Sequence, residues 1–220
     1  MNASFFVSEG EVGEQAPEGS HVARCIAVVD LGTQTNEYNG EVKSRRALWI
    51  QWELPDELRT SGNFAGEAFR VGSIYTRSLH PKASLRADLE SWRGRAFTPE
   101  ELKQFDIAKL LGAPCLLQVG RNEKGRAKVA AVMSVPKGMS VPGQINAMLL
   151  LSLDDYDKDV FAELPKGIQA MIANSPEYAA AVGNKPLAAR TYSAQPATPA
   201  KSEPPTAGDF AEFADDDIPF

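Results

Sequence analysis

The chain has 220 residues, 43% of them hydrophobic and 24% charged, with a formal net charge of −6. That suffices for one sizeable core plus appendages, and no run of about 18 apolar residues is present to span a bilayer. The charge is uneven: −6 over residues 1–69, +7 over 70–137, −2 over 138–190 and −5 over 191–220, so two different partners are implied, or a tail that competes with an anion for the basic block.

Residues 1–19 form an acidic leader, expected to be flexible, with neither the basic residues nor the apolar run of a secretory signal. HVARCIAVVDLG (residues 21–32) is apolar, β-branched and ends in glycine, a first strand. The polar stretch TQTNEYNGEVKS reads as a loop turning at Asn39-Gly40. In RRALWIQWEL, Leu48, Ile50, Trp52 and Leu54 alternate with Trp49, Gln51 and Glu53, the period of a half-buried strand. EAFRVGSIYT (residues 67–76) supplies a third strand with weaker alternation.

The pattern then turns helical over residues 80–112. Pro81 suits a first helical position, Leu85, Leu89 and Trp92 share one face, and Gly94 breaks the run. Thr98-Pro99-Glu100-Glu101 has the form of a capping box opening a second helix through Leu102, Phe105, Leu110 and Leu111, which Gly112 stops. PCLLQVG and AKVAAVMSV are strands joined by RNEKGR. Cys25 and Cys115 lie in separate apolar segments without CxxC spacing, as expected of buried free thiols in a reducing cytoplasm.

Three strands, helices, then two strands is the order of an OB-fold, a five-stranded Greek-key barrel that often binds oligonucleotides. The expectation is a mainly β fold with inserted helices over residues 20–136. Residues 137–190 read as a helical extension packed on the barrel, with helices opening near Leu164-Pro165 and Ser175-Pro176 after the acidic turn DDYDKD. Residues 191–213, rich in Pro, Ala, Ser and Thr, cannot bury enough surface to order and read as a disordered linker. Residues 214–220 form an acidic tip, ADDDIPF.

Marks of catalysis are absent: the chain has no GxxxxGK[ST], HExxH or GxSxG, and only His21 and His80 offer imidazoles. Neither an enzyme nor a cofactor is expected, and three adjacent tail carboxylates do not make the convergent oxygen cage of a metal site. Binding features are richer. With Leu48, Ile50 and Trp52 inward, Trp49 and Gln51 face out, and Trp49 is either a stacking platform for a base or covered by the helical extension. Tyr38 and Tyr75 are stacking candidates or core aromatics. Arg24, Arg45, Arg46, Arg70, Arg77 and Lys128 surround this wall, while Arg121, Lys124 and Arg126 crowd the loop between the last two strands. Each is a candidate phosphate contact or a solvated charge; Arg93 and Arg95 are peripheral.

The end of the chain, DDDIPF behind a Pro/Ala/Ser-rich linker, resembles the acidic tip of bacterial single-stranded DNA-binding proteins. The body, with VVDLG, WIQWEL and FTPEE followed by FDIAKLLG, is similar to OB-fold single-stranded DNA-binding proteins of bacteriophages and mobile elements. The inserted helices and the extension before the linker depart from the usual bacterial pattern. The resemblance implies a cytoplasmic protein that coats single-stranded DNA in replication, recombination or repair, as a monomer or a homo-oligomer and not at a membrane. Its tip would dock replication and repair proteins, Phe220 entering an apolar pocket with Ile218 and Pro219 while Asp215, Asp216 and Asp217 meet cations. The alternatives are an OB-fold adaptor that contacts mainly protein, and an RNA-binding regulator.

Overall fold

The computed structural model describes residues 13–38 and 41–183. Its centre is one mainly antiparallel sheet of β1 (Gly19–Tyr38), β2 (Glu41–Leu58), β3 (Ala68–Thr76), β4 (Pro114–Arg121) and β5 (Ala127–Met133), in the order β3-β2-β1-β4-β5. A short β6 (Leu149–Leu151) joins β1 in parallel. The sheet is open: β3 and β5, at its two ends, approach each other without pairing.

β1 pairs with β4 through residues 19–24 and with β2 from Arg24 onward. It bends to do so, the β1–β2 ladder slipping between Cys25 and Ala27 and again between Asp30 and Gly32, as bulges do when they turn a strand. The stretch expected as a polar loop is instead strand: Thr33 to Tyr38 pairs with Glu41 to Arg46 as a two-stranded ribbon, with Asn39 and Gly40 outside the described residues. Thr35 and residues 42–45 are exposed, so this stretch needs no apolar alternation and its sequence resembles a loop. The hydroxyls of Thr35 and Ser44 hydrogen bond across it at 2.8 Å.

The inserted helices are α1 (Ser84–Arg93) and α2 (Pro99–Lys103). Leu85, Leu89 and Trp92 are buried, and Gly94 ends α1. The capping box is present in full: Thr98 accepts from the Glu101 amide, and Glu101 accepts from the Thr98 amide. The second helix expected to reach Leu111 stops at Lys103. Asp106 then caps a short 3-10 turn, Ile107–Leu110, accepting from the Ala108 amide; such local bonding by Asp competes with helix continuation.

The inner face of the sheet and α1 enclose the main core, in which Cys25, Ile50, Trp52, Val71, Leu89 and Leu117 are buried. Trp52 lies 5.9 Å from Trp92, whose indole N–H donates to the Pro114 carbonyl at 2.7 Å. Cys25 and Cys115 are free and buried, and burial pushes both thiols up, away from the reactive thiolate.

A second core lies on the opposite face of β1 and β2. Ala27, Val29, Leu31, Ala47 and Trp49 are covered there by Leu151, Leu153, Leu164 and Ile172 of the extension. That extension comprises β6, α3 (Lys158–Glu163), α4 (Lys166–Ala173) and α5 (Pro176–Gly183). α3 opens at the end of the acidic turn DDYDKD, overlapping only its last two residues; Asp157 caps it, accepting from the amides of Asp159 and Val160. The fully buried Glu53 carboxylate accepts from the amides of Ile145 and Asn146 and from the Asn146 side chain, fixing the loop that leads into β6. Residues 13–18, part of the leader expected to be flexible, lie against the sheet, with Ala16 in the main core. Among the described residues no helix is long and apolar enough to cross a membrane.

Gly32 is where the extension comes closest to β1. Its φ is 70°, and a Cβ there would stand 2.4 Å from the Ser175 hydroxyl. Gly32→Ala combines left-handed strain of about 1–2 kcal/mol with overpacking. Its thermal unfolding midpoint is expected to fall by several degrees, with faster proteolysis in residues 149–183; an unchanged midpoint would mean that the extension is not seated as described.

Candidate nucleic-acid interface

Because successive strand residues point to opposite faces, the register of β2 decides which side chains can meet a ligand. Trp49 does face away from the main core, as the alternation predicts, yet it is only 6% exposed. It lies over β3 at Gly72, where a Cβ would come within 2.4 Å of its indole nitrogen, and beneath the extension. Coverage by the extension is therefore the outcome, and Trp49 offers no surface to a base. Tyr75 is likewise a core residue, 4% exposed. Its hydroxyl donates to Asp88 at 2.8 Å, and burial pushes it well above the usual tyrosine range. Gln51 is half-buried beside Gly72. Tyr38 closes β1, and its side chain lies outside the described residues.

The candidate cations divide by position and by partner. Arg24 is a structural tie: Nε donates to the Pro142 carbonyl at 2.7 Å and Nη1 to the Gly112 carbonyl at 2.8 Å. Arg46 and Arg77, 31 positions apart in sequence, converge on the buried Asp30 carboxylate at 2.5 and 3.1 Å, and Arg46 also reaches Asp154 at 3.0 Å. These hydrogen bonds, that of Asp30 first, raise the Arg46 guanidinium further above its ordinary value. Arg70 pairs with Glu67 at 3.2 Å and Arg121 with Glu18 at 3.1 Å. Arg93 and Arg95 share Glu101, Arg93 also lying over the Phe97 ring. Arg45 on the ribbon and Lys124, Arg126 and Lys128 around the β4–β5 hairpin are exposed and have no ion pair among the described residues.

The register sends these groups to two ends of β1. Arg45, Arg46 and Arg77 lie at the ribbon end, beside the chain that follows β3. At the other end, the start of β1, the β2–β3 loop and the β4–β5 hairpin come together. Residues 14 and 15 tie the last two. Glu14 accepts from the amides and hydroxyls of Thr60 and Ser61, and the neighbouring Gln15 accepts from the Ala127 amide. The Thr60 hydroxyl, above all, holds Glu14 below the usual carboxylate range. Within the hairpin turn, Asn122 Oδ1 accepts from the amides of Lys124 and Arg126, setting the spacing of the two cations.

One aromatic at this end is not among those the strand pattern singles out. Phe64, in the β2–β3 loop, is 54% exposed and is the one large exposed aromatic among the described residues. The sequence marks it only through its setting, SGNFAG, where an aromatic flanked by turn glycines has no strand or helix to carry it into a core.

Among the described residues no group of three His, Cys, Asp or Glu side chains is placed to hold a metal ion. Asp215 to Phe220 lie outside the described residues. No protein-family model, no curated protein and no solved structure matches this chain, so the likeness to single-stranded DNA-binding proteins rests on the residues quoted for it.

Trp49→Ala opens a large cavity in the second core. A loss of about 3–5 kcal/mol of stability is expected, read as a lower denaturation midpoint; an undiminished midpoint would mean that the indole is not packed under the extension.

Proposed function

We propose that this protein is a single-stranded DNA-binding protein built on an OB-fold barrel. It acts in the cytoplasm by coating strands exposed in replication, recombination or repair, and it recruits partner enzymes through its C-terminal tip. What supports the barrel reading most is the strand order β3-β2-β1-β4-β5, with β3 and β5 drawn together and α1 packed against both. This is the order of an OB barrel, with its helix in the expected place between the third and fourth strands. The action is stoichiometric: the protein holds the strand, keeps it from refolding, and passes it on.

For the strand itself, the support is the exposed group Lys124, Arg126 and Lys128, whose charges are not spent on carboxylates among the described residues. Phosphates of a flexible strand are the natural counter-ions for such a set. For recruitment, the support is the sequence ADDDIPF, in which an apolar anchor ends an acidic run. A weak tethered peptide of this kind raises the local concentration of its partners on coated DNA. A phage or mobile-element origin fits the same residues.

Titration with labelled dT and U oligomers separates this reading from its rivals: binding to dT is expected, an adaptor would bind neither, and an RNA-binding regulator would prefer U. Replacing Lys124, Arg126 and Lys128 together by alanine is expected to weaken dT binding and to flatten its log–log salt slope by about 2, at about 0.7 per phosphate contact for single strands. An unaltered slope would remove the β4–β5 hairpin from the interface.

Phe220→Ala removes the anchor and keeps every side-chain charge. It is expected to abolish retention of a bacterial host's purified replication and repair enzymes while leaving dT affinity unchanged. Retention equal to wild type would leave the tip only an electrostatic role.

A further inference from the structure

With Trp49 and Tyr75 buried, a strand held at the β4–β5 hairpin still needs a flat apolar surface for its bases. A single exposed phenylalanine is ordinary on a protein surface, but three features set Phe64 apart. The first is its support. The Arg59 guanidinium lies 5.9 Å from the Phe64 ring centroid and 4.7 Å from that of the buried Phe69, and it donates to the Glu14 carbonyl at 2.9 Å. The cation is thus held between two rings, and the loop it braces is closed at its base by the Arg59–Glu67 and Gly66–Arg59 backbone bonds. The second is access. Nothing stands within 4 Å of where a Cβ would lie at Gly62 or Gly66, on either side of Phe64. The third is company. The Glu14–Gln15 tie sets this loop beside Ala127, and hence beside Lys124, Arg126 and Lys128.

We propose that Phe64, braced by Arg59, is the platform on which a base of the bound single strand stacks, while the β4–β5 hairpin meets the adjoining phosphates. The inference rests on the single-strand reading above and names the end of the molecule where the strand lies. The charges there are nearly balanced, since Glu14, Glu18, Glu57 and Glu67 accompany Arg59, Arg70, Arg121 and the hairpin cations. Those four carboxylates are engaged, Glu14 on Thr60 and Ser61, Glu18 on Arg121, Glu57 on His21 and Glu67 on Arg70, and Asp56 and Glu123 complete the acidic side. A balanced surface gives a modest salt dependence, so a stacking contribution has to supply a large share of the affinity. Aromatic faces accept any base, so the platform fits a strand bound without sequence preference. Arg59 adds a cationic partner to the same stack.

The test uses the full chain and dT oligomers, with two variants. Phe64→Ala is expected to weaken binding about five- to a hundredfold while leaving both the salt slope and the unfolding midpoint as in wild type, because the ring is neutral and exposed. Phe64→Trp is expected to keep wild-type affinity and to show emission quenched by dT, against a steady background from Trp49, Trp52 and Trp92, all of them buried. If wild type binds dT but Phe64→Ala binds equally well, or Phe64→Trp binds without quenching, the platform is overturned and the single-strand reading stands. If wild type binds no dT, that reading falls and the platform with it.

Discussion

The burial of β1 and β2 on both faces is the constraint from which the rest of this structure follows. On one side they close over the main core around Trp52 and Leu89; on the other they carry Val29, Leu31 and Trp49 into a second core beneath the extension. A hairpin sandwiched in this way cannot also present its wall to a ligand. The outward face of β2 is spent on holding the extension, and the surface left exposed lies on β3 and at the ends of the strands.

Charge pairing sharpens that displacement. Asp30 is buried, and a lone carboxylate there would be costly; Arg46 and Arg77 neutralise it and are themselves consumed. Arg24 is spent on two carbonyls, which fasten the loops around Gly112 and Pro142 to β1. The arginines nearest the middle of the sheet are thus part of its construction. Lys124 and Arg126 instead sit on a turn that Asn122 organises through their backbone amides, and their side chains have no ion pair among the described residues.

Much of the fold is legible in the sequence, and the misreadings have physical causes. The capping box at Thr98 and Glu101, the stop at Gly94 and the period-two pattern of β2 all depend on near neighbours, and each is found where the residues place it. The unbroken apolar run CIAVV in β1 also signals a strand buried on both faces, and with it the coverage of Trp49. The ribbon is hidden because its exposed residues, Thr35 and 42–45, show no apolar alternation. The second helix is cut short because Asp106 bonds to its own backbone. The union of Arg46 with Arg77 on Asp30 depends on strand pairing, which no local pattern carries. Phe64 is overlooked for the opposite reason: a residue that packs against little leaves no periodic trace.

The two ends of the described chain leave the fold in different places. Gly13 lies next to Glu14, and so between the β2–β3 loop and the β4–β5 hairpin. Glu177 of α5 is fastened to Thr33, at the base of the ribbon. The described chain therefore begins beside the loop that carries Phe64 and ends, in α5, near the far end of β1. A fluorophore attached at Gly13 would crowd the surface around the β2–β3 loop and the β4–β5 hairpin. One attached at Val182, exposed on α5, would stand near the opposite end of β1 and leave that surface clear.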